Sequence, residues 1–163
     1  MPINPTKPDR VGDPLAWEVI GVIDTEGDCA EWTFPAEPGA VRAARSVVRA
    51  RLHTWGLDSL ADTTCLLVSE LVTNALRHAT GPIGVRLVRP PGRDGHGVLR
   101  AEVSDPLPDP PRERTPHLED ESGRGLQLVA SASRRWGTRP AGGDTTGGGT
   151  GGKTVWFELS LPG

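Results

Sequence analysis

Apolar residues recur along this chain at two spacings: steps of three and four in two long stretches, and steps of two in several short ones. From about Pro38 to Trp55, Val41, Ala44, Val48, Leu52 and Trp55 keep the helical spacing with Arg42, Arg45, Arg49 and Arg51 between them, which predicts an amphipathic helix. Gly56 stops it, and Asp58 is placed to cap a second helix running to about Ala79, ended by Gly81 and Pro82. Glu31-Trp32-Thr33-Phe34 reads as a short strand that Pro35 ends, because aromatic and β-branched residues suit the pleated surface and proline cannot continue a ladder. Ile83, Val85 and Leu87 alternate, as do Leu99, Ala101 and Val103 after the turn at Pro90-Pro91-Gly92; the two runs predict a hairpin. Gly125 to Ala130 opens a short helix, and Val155, Phe157 and Leu159 alternate as a last strand.

The predicted order is strand, helix, helix, strand, strand, long loop, helix, strand. Strands beside strands and helices in blocks imply an α+β fold with helices packed on one face of a mixed β-sheet. Residues 1–30 mix Pro, Gly, Asp and Glu with little period and read as an N-terminal extension, in which Leu15 to Ile20 could dock as a short strand or turn. Residues 31–161 form the domain. Within it, residues 106–122 hold Pro106, Pro108, Pro110, Pro111 and Pro116, which forbid helix and sheet interior and leave a lid-like loop. Residues 142–152 are a Gly-rich insert.

Composition narrows the function classes. A chain of 163 residues suits one core, and the net charge of -3 supplies no basic field for sequence-independent nucleic-acid binding. No apolar leader and no run of membrane-span length occur, so a cytoplasmic protein is expected, with neither membrane nor nucleic acid among its partners. Cys29 and Cys65 are too few for a disulfide framework, and neither they nor His53, His78, His96 and His117 show zinc-ligand spacing. No metal site built from protein ligands alone is visible.

Gly147 to Thr154 satisfies the string G-x-x-x-x-G-K-[ST] of a P-loop. A P-loop holds phosphate because it delivers the chain to a helix N-terminus with free amides. Here the loop leads into the period-two run Val155-Trp156-Phe157-Glu158-Leu159. A flexible linker before the last strand is therefore the better reading.

The second helix carries the informative pattern. At about 100° per residue, Leu67, Val68, Leu71, Val72, Ala75 and Leu76 fill one apolar sector, and Glu70, Asn74 and His78 form a stripe along its edge. An ordinary amphipathic helix with a solvated polar face would look similar. Asn74 argues for more, since asparagine is a poor helix former and its place among strong formers suggests a side-chain task.

The segment Glu70-x-x-x-Asn74-Ala75-x-x-His78 resembles the N-box of the GHKL (histidine kinase-like) ATPases. Ser69 to Ala75 is most similar to anti-sigma factor serine kinases of the RsbW and SpoIIAB type. Three further boxes follow in the family's order. Asp105, at the end of a strand, matches the carboxylate that accepts the adenine amino group. Gly123-Arg124-Gly125-Leu126 resembles the Gly-x-Gly box beside the phosphates, and Thr154 matches the threonine that supports the adenine site. Taken alone, the glycines also fit a loop-to-helix turn, and Asp105 a strand-end turn. The Asp-box departs from the family by continuing Pro106-Leu107-Pro108-Asp109-Pro110-Pro111 rather than with glycines.

The resemblance implies a Bergerat-type α/β sandwich that binds ATP and Mg²⁺, with Asn74 as the magnesium ligand and Glu70 as the catalytic carboxylate. It also implies a protein serine/threonine kinase that phosphorylates a STAS-type anti-anti-sigma factor and sequesters a sigma factor; a homodimer is among the arrangements it allows. A catalytically idle module of the same fold, which docks a partner with or without ATP, is the rival reading.

Overall fold

The computed structural model describes residues 21–25, 28–78, 81–89, 97–106, 121–140 and 152–162, without the side chains of 21–25, 78 and 121–124. In chain order the elements are β1 (Gly21–Thr25), β2 (Cys29–Phe34), α1 (Gly39–Thr54), a 3-10 turn (Asp58–Leu60) and α2 (Ala61–His78). They continue with β3 (Ile83–Val88), β4 (Val98–Asp105), α3 (Glu121–Ala132), β5 (Arg135–Pro140) and β6 (Lys153–Ser160). The six strands form one sheet in the order β1-β2-β3-β4-β6-β5.

The α+β class holds, but every hydrogen-bonded pair is antiparallel, where a mixed sheet was expected. The connections explain why. Two helices in succession, α1 and α2, bring the chain back so that β3 runs against β2. The single helix α3 leaves β5 parallel to β4, but β6 lies between them and is antiparallel to both. The sheet also begins earlier than the sequence pattern indicated: β1 lies inside the stretch read as an extension and pairs along β2, from Gly21 opposite Thr33 to Thr25 opposite Cys29. The alternative strand at Leu15 to Ile20, the prolines at 108–116 and most of the Gly-rich insert lie outside the described residues.

One face of the sheet is apolar and covered. Phe34, Trp32 and Ala30 of β2 face Ile83, Val85 and Leu87 of β3, and beyond them lie Val103, Ala101 and Leu99 of β4, then Val155, Phe157 and Leu159 of β6. All of these are buried. At about 1.5–3 kcal/mol for each large side chain removed from water, this layer is the main source of stability. Helix α2 closes it, packing against β3 and β4 and against both α1 and α3. Its Leu67, Val68, Leu71, Val72 and Ala75 point inward, as their spacing predicts. Between the helices Gly56 takes φ 70°, the left-handed conformation that lets the chain turn out of α1. Asp58 does not cap the next helix; its carboxylate lies 2.8 Å from Nδ1 of His53.

Candidate nucleotide site

The polar stripe of α2 meets the glycine box. Glu70 and Asn74 lie one turn apart, both half-buried, at the edge of the sector that α2 buries. Opposite them is Gly125 of α3. A Cβ added there would stand 3.0 Å from Oε2 of Glu70, 3.5 Å from Cβ of Glu70 and 3.4 Å from Nδ2 of Asn74. Glycine is therefore what lets the α3 backbone approach both side chains. Helix α3 begins at Glu121, so Gly123 and Gly125 are its third and fifth residues rather than a turn ahead of it. The amides of the first turn remain without intrahelical partners, as an anion site requires. The side chain of Arg124 and that of His78 lie outside the described residues. Leu126 is 8% exposed and belongs to the core; it anchors α3 beneath the box.

Asp105 ends β4 on the helix-covered face, continuing the alternation Leu99, Ala101, Val103, and is 6% exposed. The register sets Lys153 directly across from it and Thr154 across from Ser104. Thr154 therefore projects to the other side of the sheet, where its hydroxyl lies 2.8 Å from that of Ser104. Of the two strand residues assigned to an adenine site, Asp105 faces the helices and Thr154 does not. The residue that shares the Asp105 side is Lys153, whose Nζ is 3.7 Å from Oδ2. The signal for this was present in the sequence: the period of two that points Val155, Phe157 and Leu159 inward also points Lys153 inward and Thr154 outward.

Lys153 and Thr154 both lie in a strand. The P-loop string accordingly leads into sheet, not to a helix N-terminus. Among the described residues no cluster of three His, Cys, Asp or Glu side chains could hold a metal.

The family model described as "Histidine kinase-like ATPase domain" matches residues 34–150. The chain belongs to the histidine kinase-like ATPase family. The match covers Glu70, Asn74, Asp105 and the glycine box, and stops short of Lys153 and Thr154. No curated protein matches the chain at a significant level.

Proposed function

We propose that this histidine kinase-like ATPase domain is an ATP-binding regulatory protein that phosphorylates a serine of a STAS-type anti-anti-sigma factor and sequesters a sigma factor. The observation that supports the catalytic part is the close approach of Gly125, one turn into α3, to Glu70 and Asn74. The partner classes rest on the resemblance of Ser69 to His78 to the RsbW-type kinases.

The residues suit magnesium. The ion prefers oxygen donors and keeps waters and phosphate oxygens in its shell, so one protein oxygen from Asn74, half-buried beside α3, would be a sufficient donor set. Bound there, the ion would offset phosphate charge. Glu70, one turn away, would orient the incoming serine hydroxyl and take up its proton. Asp105 would accept the amino group of the base.

Isothermal titration with Mg-ATP and a phosphotransfer assay on a STAS-domain substrate test the assignment. Asn74→Ala should lower metal-dependent ATP affinity and transfer together. Glu70→Gln should hold ATP affinity within a few fold while lowering transfer by about 10²–10⁴. Asp105→Asn should weaken ATP at least about tenfold, the worth of a charge-assisted hydrogen bond. A wild type that binds Mg-ATP but transfers no phosphate, with Glu70→Gln indistinguishable from it, would favour a second reading, an idle docking module. That reading draws support from the altered Asp-box, in which Asp105 is followed by Pro106 rather than by glycine.

A further inference from the structure

Lys153 lies at the start of β6, with its side chain 12% exposed against a carboxylate that is 4% exposed. A lysine so placed is held by its charge partner, because burying an ammonium alone is costly. Yet the Nζ to Oδ2 separation of 3.7 Å exceeds hydrogen-bond range. The two charges attract without closing a bond, and Lys153 keeps N–H donors for a third group.

The backbone sets this arrangement. A Cβ on Gly152 would clash with the carbonyl oxygen of Asp105 and fall 2.7 Å from Cα of Pro106. The start of β6 is therefore pressed against the end of β4, and the register sets the residue after Gly152 directly across from Asp105.

We propose that Lys153 is a specificity-determining residue that reads the base together with Asp105, donating to ring nitrogen N1 of adenine while Asp105 accepts from the exocyclic amine. The inference rests on the reading of this cleft as a nucleotide site. An ionised carboxylate only accepts and an ammonium only donates, so the pair presents an acceptor next to a donor. The Watson–Crick edge of adenine presents the complement, a donor at the amine beside an acceptor at N1. Inosine and guanine carry the reverse order, an acceptor at O6 beside N1–H. A threonine hydroxyl in the same place could turn to suit either order; an ammonium cannot.

Titration of the full chain with Mg-ATP, Mg-ITP and Mg-1-deaza-ATP, in which a C–H replaces N1, tests this. Wild type should bind 1-deaza-ATP and ITP at least tenfold more weakly than ATP. Lys153→Met should bind ATP and 1-deaza-ATP within threefold of each other, and Lys153→Arg, which keeps the donors, should preserve the wild-type ratio. Equal wild-type affinity for ATP and 1-deaza-ATP overturns the inference and leaves the nucleotide site standing. So does an unchanged ratio in Lys153→Met, since a lysine that merely neutralised Asp105 would weaken both ligands alike. If Lys153→Met does not fold, the wild-type and Lys153→Arg ratios still decide. Failure of wild type to bind any of the three nucleotides removes the site reading itself, and the inference with it.

Discussion

Glu102 shows how far a single side chain can depart from its place in a pattern. It lies on the sheet face turned away from the helices, where the alternation of β4 predicts a solvated residue, yet it is only 5% exposed. Arg139 reaches its carboxylate at 2.8 Å, Arg100 at 3.1 Å and Arg86 at 3.6 Å, and Arg100 also lies over the Trp156 ring at 4.2 Å. One carboxylate thus serves three guanidinium groups that would otherwise repel one another. Breaking a buried pair costs about 3–5 kcal/mol, but Arg86 and Arg139 are each 44% exposed and water screens part of the term. Glu102→Ala is therefore expected to lose about 2 kcal/mol in urea unfolding, and less in high salt; an unchanged midpoint would show that the arginines need no central carboxylate. Cys65, 1% exposed on α2, behaves differently. Burial pushes its thiol above the ordinary value of 9.0, against the opposing pull of Arg49 and Arg45. The folded state then favours the neutral thiol, so this contribution is complete below the ordinary thiol value and is lost as pH rises from there through the raised value. The chain contains no tyrosine, which removes one competing alkaline titration. Stability measured from pH 8 to pH 10 should fall in wild type and fall less in Cys65→Ala; parallel profiles would remove Cys65 as the cause.

At the scale of elements, legibility followed how strongly each segment repeats its own period. Helix α2 was readable because six apolar residues fill one sector, and that same sector left Glu70 and Asn74 on its edge. Strand β5 was not, since Arg135-Trp136-Gly137-Thr138-Arg139-Pro140 is exposed or half-exposed throughout and has no inward apolar row to betray it. Its place comes from pairing with β6, from Arg135 opposite Glu158 to Pro140 opposite Lys153, a long-range fact that no local window contains. The candidate site was legible in the same uneven way. Residue types singled out Glu70, Asn74 and Asp105 as candidates, while the placement of Lys153 needed the strand parity of β6 to be carried two residues back from Val155. Gly152 offers a test at this scale. It reads as the last member of a low-complexity run, but its missing Cβ is what admits the backbone of Asp105. Gly152→Ala should force β6 away from β4, costing about 1–3 kcal/mol by the usual measure of overpacking and weakening ATP along with it. A stable Gly152→Ala protein with unaltered nucleotide binding would mean that the start of β6 is not held against Asp105.

Over the whole molecule, the antiparallel order makes the helix-covered layer continuous across four strands, with β1 and β5 at the two ends of the described sheet. Among the residues whose side chains are described, the buried apolar strand residues come from β2, β3, β4 and β6, and the family match begins at residue 34. The backbone of β1 pairs along β2, whose inward residues Ala30, Trp32 and Phe34 are buried. An uncovered strand edge with such neighbours is a template for pairing with another chain. A chain beginning at Asp28 is therefore expected to keep its far-ultraviolet circular dichroism apart from the loss of one strand, because helices α1 to α3 and the inner strands keep their contacts. It should melt at a lower temperature and associate as concentration rises, with sedimentation velocity showing dimers or larger species that the full chain does not form at the same concentration. Placing a lysine at the newly exposed edge, as Thr33→Lys, should suppress that association without restoring the melting temperature, since charge blocks edge pairing but replaces none of the lost hydrogen bonds. If the shortened chain stays monomeric at every concentration and melts with the full-length protein, then β1 neither protects the edge of β2 nor contributes to stability, and the functional sheet is the five strands from β2 to β5.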